Sequence, residues 1–148
     1  ASIVHNDYTA DSGPRRLRDF FADDPAEAEA LLGRRFAVVN VWRPVKGPVR
    51  NHPLAFCDAS SVASGELVPG RRVAKDRIGE IQLALYNPVH RWYYFPSMTV
   101  DELLMFKTYD SADDGRARFT PHTSFADPTA PDGAPPRESI ETRCFVFF

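Results

Sequence analysis

His5 and Asp7, two residues apart near the start of the chain, form an H-x-D element. In an extended segment such residues project from one face, so an imidazole and a carboxylate converge on a single ion. A second histidine from elsewhere completes a set of two histidines and one carboxylate. That set caps one face of an octahedral ferrous ion and leaves three positions open for other ligands. Alone the element is weak evidence, because average composition produces one in a chain of this length on the order of one time in six. The other histidines are His52, His90 and His122. A lone histidine is more often a surface or hydrogen-bonded residue than a ligand, and His52 and His90 are read that way.

His122 stands apart because Arg137 follows it by 15 positions, with Ser139 two residues further on. A histidine, a loop and then R-x-S on a strand is the order at the cosubstrate end of 2-oxoglutarate oxygenases. The distal carboxylate of 2-oxoglutarate lies several bonds from the iron, and a planar guanidinium grips it with two parallel hydrogen bonds. Ser139, on the same strand face, adds a third donor. His5, Asp7 and His122 are therefore the candidate metal ligands and catalytic centre, and Arg137 and Ser139 the candidate cosubstrate site. The competing readings are a surface ion pair for Arg137 and a solvent-facing strand position for Ser139.

Short strands must carry these residues. The segments 35–42, 54–58, 81–86, 92–96, 103–109 and 119–125 are rich in β-branched and aromatic residues and bounded by Pro, Gly or Asn. A helical turn at Thr99–Glu102 is an alternative start for the segment at 103–109. A proline-rich loop from Asp127 to Pro136 feeds a closing strand from Arg137 to Phe148. Arg137, Ser139, Glu141 and Arg143 share one face of it, a polarity that suits a wet cavity better than a packed core. The one conspicuous helix is Asp23–Gly33, with an Asp cap, a proline in the first turn and a closing glycine. The expected fold is mainly β, a double-stranded β-helix or jelly roll with a short helical insertion. The expected organisation is a single domain over residues 1–148. An H-x-D element so near the first residue predicts the later part of a longer protein, with N-terminal elements missing. A trimmed chain, one chain of a split protein and a short form that borrows a strand are the alternatives.

The 148 residues carry 18 basic and 20 acidic side chains, a net charge of -2. No sequence-wide field draws such a chain to nucleic acid or an anionic membrane, so a small-molecule partner is expected. No apolar run approaches membrane-spanning length, and the start lacks the basic and apolar regions of a signal peptide, which points to the cytoplasm. Cys57 and Cys144 have no metal-type spacing and are read as small core residues. The aromatic run Trp92–Phe95 reads as core and cavity wall rather than a platform for bases.

Several further motifs extend the pattern: Asn40-Val41-Trp42-Arg43-Pro44, Pro53-Leu54-Ala55 with Cys57-Asp58, Trp92-Tyr93-Tyr94-Phe95-Pro96 and Lys107 with Tyr109-Asp110-Ser111. With His5-Asn6-Asp7-Tyr8-Thr9, Phe119-Thr120-Pro121-His122-Thr123 and Pro135-Pro136-Arg137-Glu138-Ser139, they cover nearly the whole chain. Together they resemble the CmcJ/AsaB-like hydroxylase/desaturase family, the oxygenases grouped with the aspergillic-acid-type hydroxylase and the cephamycin methoxylation component. The resemblance implies Fe(II), with 2-oxoglutarate and dioxygen as cosubstrates, and hydroxylation or desaturation of a small molecule in secondary metabolism. It implies His5, Asp7 and His122 as iron ligands and Arg137, aided by Ser139, as the cosubstrate clamp. Tyr8, Trp42, Arg43, Trp92, Tyr94, Lys107 and Tyr109 become candidates for the substrate cavity wall. Against that, Arg43 has a potential partner in Asp58, and Tyr109 suits the core. Family members are longer at the N-terminus. The 117 positions between the two histidines exceed those of many oxygenases of this fold, which makes the helix and its following strands an insertion.

Two rival functions remain at this level. One is a cupin-like metal enzyme that works without 2-oxoglutarate, which leaves Arg137 and Ser139 without a purpose. The other is a truncated, inactive binding module, with exposed strand edges that invite a homodimer or a complementing chain.

Overall fold

The computed structural model describes residues 3–74 and 77–148. Ala1 and Ser2, part of the start read above as lacking a leader, lie outside them. The elements in chain order are β1 (His5–Asn6), α1 (Ser12–Phe20), α2 (Pro25–Leu32), β2 (Phe36–Pro44), β3 (Leu54–Cys57), β4 (Leu67–Ala74), β5 (Arg77–Ala84), β6 (Trp92–Tyr94), β7 (Leu104–Asp110), β8 (His122–Ser124) and β9 (Ser139–Phe147). They form a six-stranded sheet, β4-β5-β1-β8-β3-β6, and a three-stranded sheet, β7-β2-β9. Every strand pairing is antiparallel. This is the mainly β jelly roll expected from the sequence.

β2 is the central strand of the smaller sheet, and one of its faces, Phe36, Val38, Asn40, Trp42 and Pro44, is buried throughout. Its register against β7 slips between Val38 and Val39, where Tyr109 and then Lys107 are the partners, so Thr108 is the extra residue of a bulge. A bulge re-aims a side chain at the cost of a local ladder bond. Here it buries Thr108 completely, and its hydroxyl donates to Asn40 Oδ1 at 3.2 Å. The core has two clusters, Tyr8, Leu17, Phe36, Val38 and Tyr109 in one and Trp42, Val49, Leu54, Met98 and Phe106 in the other. Truncating Phe36, only 1% exposed, to alanine costs about 3–5 kcal/mol by the usual large-to-small penalty.

α2 matches the expected helix: Asp24 caps it by accepting from the Glu27 N–H at 3.1 Å, Pro25 opens it and Gly33 ends it. α1 corrects the expectation of a single helix. Its segment, Ser12-Gly13-Pro14-Arg15-Arg16-Leu17-Arg18-Asp19-Phe20, is amphipathic, but it has only two large apolar residues, Leu17 and Phe20, and Gly13-Pro14 near its start. Gly13 and Pro14 read as a turn, yet proline is tolerated in a first turn, where its N–H has no partner to lose. Gly13 is required there, because a Cβ would stand 2.5 Å from the Tyr109 ring.

Two strand expectations also change. β4 and β5 form one long hairpin where only 81–86 read as strand, since Pro69, Gly70 and paired arginines mask β4. The aromatic run forms the edge strand β6, and Trp92, Tyr93, Tyr94 and Phe95 are 38–57% exposed rather than core. A run of adjacent aromatics cannot point inward from a strand, because side chains alternate.

Candidate metal centre

β1 lies in the middle of the larger sheet, and this position brings the two distant histidines together. His5 is the register partner of His122 on β8, with ring centroids 4.5 Å apart. Asp7, just beyond β1, lies 3.8 Å from His5 Nε2 through its Oδ1. One ligand atom from each of His5, Asp7 and His122 lies within 4.8 Å of the others. Asp7 and His122 are buried and His5 is partly so.

The hydrogen bonds settle which atoms face inward. His5 Nδ1 lies 2.9 Å from the Ile3 carbonyl, and His122 Nδ1 lies 2.9 Å from the Thr120 carbonyl. A carbonyl only accepts, so each Nδ1 carries the proton and each Nε2 presents a lone pair. Burial pushes the His122 imidazole below its ordinary pKa, outweighing the Thr120 carbonyl and Asp7, which favour the cation. Neutral imidazole is the form a metal requires.

Asp7 bridges the two sheets. Asn40 Nδ2, from β2, donates to its Oδ2 at 2.7 Å, and Arg143 Nη2, from β9, donates to its Oδ1 at 3.1 Å. Asn6 anchors β1 from the opposite face: its amide donates to the Tyr8 and Thr108 carbonyls and to Gln82, and its Oδ1 accepts from the Thr120 N–H. Asn6, Asn40, Thr108 and Arg143 did not emerge as site residues from the sequence. A lone asparagine inside the apolar run of β2 was the available signal.

Arg137 sits just before β9, half-buried, with its guanidinium carbon 5.5 Å from the centroid of the Trp42 ring. Its Nη1 donates to the His52 carbonyl at 2.6 Å. Burial lowers its pKa, with Glu141 opposing, and a guanidinium so shifted is still a cation. Ser139 is half-buried opposite Pro44. The His122 ring meets Phe106 edge-on at 4.9 Å, and Phe106 shares a core cluster with Trp42. An apolar wall thus connects the histidine to the arginine.

The other candidates disperse. Tyr8 is buried in the core cluster and also lines a cavity of about 540 Å³ with Asp7 and Arg143. Tyr109 packs against Phe36 in the core, and Lys107 donates to Asp110 at 2.7 Å. Arg43 is exposed and donates to the Pro44 carbonyl, whereas Asp58 pairs with Arg91 at 2.9 Å. Trp92 and Tyr94 lie on the edge strand, away from that cavity's lining. His90 is paired with Glu66 at 2.8 Å, and both cysteines are free, Cys57 buried and Cys144 half-buried.

Residues 1–147 match a family described as oxidoreductase/YMDC permease-like domain. Among the described residues no helix is long and apolar enough to cross a membrane. The chain is 46% identical over 136 residues to hydroxylase/desaturase asaB of Aspergillus flavus, covering 82% of this chain and 60% of that protein. It is 41% identical over 157 residues to hydroxylase/desaturase CTB9 of Cercospora beticola, covering 99% and 47%. Among solved structures, the iron and alpha-ketoglutarate-dependent endoperoxidase NvfI superposes with a TM-score of 0.87 at 33% identity, covering 98% of this chain and 53% of that one. The chain spans about half the length of most of the curated relatives it matches. With this similarity along its whole length, the chain belongs to this oxidoreductase family, alongside the AsaB-like hydroxylase/desaturases.

Proposed function

We propose that this chain carries the Fe(II) and 2-oxoglutarate site of an oxygenase that hydroxylates or desaturates a small molecule, with residues 1–148 acting as one jelly-roll unit in the cytoplasm. His5, Asp7 and His122 hold the metal, Arg137 grips the distal carboxylate of 2-oxoglutarate, and Ser139 assists. The observation that carries this reading is the convergence of one ligand atom from each of His5, Asp7 and His122 within 4.8 Å of one another. Two neutral nitrogens and one oxygen fit ferrous iron and leave room for further ligands.

Bound there, iron with 2-oxoglutarate and dioxygen supplies the oxidising power, and the protein supplies placement. The carbonyls of Ile3 and Thr120 hold the imidazoles in one tautomer and orientation. Asn40 fixes the carboxylate plane of Asp7, so the donors meet an ion without reorganising. The Phe106 and Trp42 rings form an apolar wall between His122 and Arg137, and beside an apolar wall a guanidinium pulls harder on a carboxylate than in open water.

Anaerobic titration with Fe(II) and then 2-oxoglutarate tests the reading through the visible charge-transfer band of a chelated 2-oxo acid. The expected result is a band in the wild type that disappears in His122→Ala and weakens strongly in Arg137→Ala. Iron binding with no band in the wild type overturns the cosubstrate assignment, and no iron binding overturns the site.

A further inference from the structure

The geometry points to a substrate that carries a carboxylate on an apolar body, bound in the cavity beside Asp7 with its anionic end held by Arg15, Arg16 and Arg72. This rests on the proposed oxygenase site and adds to it the chemical class of the substrate. The cavity, about 540 Å³, is of the size that takes a drug-sized molecule. The buried Asp7 forms its inner wall, where it meets the candidate metal centre, and the part-exposed Arg143 reaches Asp7 from β9.

Val38 is buried and Ile81 and Phe145 are half-buried, so an apolar strip runs inward beside the buried polar Asp7 and Ser12, and the exposed Phe20 and Ile78 extend it outward. Arg15, on α1, and Arg72, on β4, are exposed and mark the mouth. Arg16 is four positions from both Ser12 and Phe20, and all three line the cavity, so one stripe of α1 faces it.

Charge decides what this mouth accepts. The acidic residues of the lining are engaged: Asp7 by Asn40 and Arg143, Glu80 by the Thr9 hydroxyl, and Asp19 by a partner of its own. Arg15, Arg16 and Arg72 make no ion pair with a carboxylate among the described residues. The lining carries four arginines against three carboxylates, and a guanidinium whose fork no described carboxylate occupies can take a planar carboxylate through two parallel hydrogen bonds. With its carboxylate at the mouth, the ligand's apolar end lies toward Asp7. The carbon to be oxidised is therefore remote from the acid group.

The test uses 2-naphthoate and its uncharged methyl ester, titrated calorimetrically into the chain with metal chelated. The acid is expected to bind at least about tenfold more tightly than the ester, a preference that shrinks as salt rises. Arg15→Gln with Arg72→Gln is expected to erase the preference, the corresponding lysine pair to keep most of it, and Arg137→Ala to leave it intact. Equal binding of acid and ester by the wild type overturns the inference, as does a preference that survives the glutamine pair or is lost with Arg137→Ala. If the glutamine pair does not fold, the salt series on the wild type decides: a preference insensitive to salt overturns the inference. A parallel Fe(II) and 2-oxoglutarate titration separates the two readings. An acid preference with no charge-transfer band overturns the oxygenase site alone, and a band with no preference overturns this inference alone.

Discussion

The two walls of the cavity beside Asp7 are built on opposite principles. At the inner wall every polar group has a fixed partner: the imidazoles bond to backbone carbonyls, Asp7 takes one donor from each of two strands, and Thr108 and Asn40 bond to each other. At the outer wall, exposed arginines on a helix and a hairpin make no ion pair with a carboxylate among the described residues. Buried polar groups are costly unless satisfied, so the inner wall is rigid and intolerant of change. Exposed cations cost little to hold and little to replace, so the outer wall tolerates substitution.

Substitutions should separate the two walls. His122→Ala is expected to weaken Fe(II) binding by more than about 100-fold, beyond the 10–100-fold typical of losing a residue that only orients a ligand; anaerobic metal titration measures it. Asn40→Ala sharpens the contrast. It takes away the donor to Asp7 Oδ2 and leaves the Thr108 hydroxyl with the Val38 carbonyl alone, with an expected loss of about 1–3 kcal/mol in urea unfolding and about 10–100-fold in metal affinity.

Asp110 tests whether full pairing governs buried charge elsewhere. Burial raises its pKa, but hydrogen bonds from Arg35 and Lys107 outweigh that and hold the carboxyl well below its ordinary value. A folded-state pKa below the unfolded one gives stability that is complete above about pH 4 and lost as the pH falls below it. Asp110→Asn should cost about 1–2 kcal/mol at pH 7, discounted for the part-exposed cations, and should flatten the acid limb between pH 4 and 2 in a melting series. The smallest effect belongs to the outer wall. Arg15→Gln and Arg72→Gln should each change stability by less than about 0.5 kcal/mol in the same melts. A larger loss would mean that these arginines support the fold, and the contrast between the walls would fail.

Legibility in the sequence followed the range of the interactions. The cap, first-turn proline and closing glycine of α2 act within a few residues, and the helix lies where they place it. α1 was hidden because its stability comes from Leu17 in the core and from Gly13 against the Tyr109 ring, contacts with residues distant along the chain. His5 of β1 and Asp7 just beyond it were legible as a pair, since a spacing of two puts side chains of an extended segment on one face. Arg143 was seen on the polar face of β9, but its approach to Asp7 crosses from one sheet to the other.

The sequence by itself determined the strand-rich jelly roll, the helix α2 and the types of donor that the chain offers to a metal and a carboxylate, because these follow from local periodicity and side-chain chemistry. Only the tertiary structure decided that His5 stands opposite His122, that Asn40 and Arg143 share Asp7, and that arginines of α1, β4 and β9 line one cavity. Strand order and sheet packing make those juxtapositions, and neither is written in the spacing of residues along the chain.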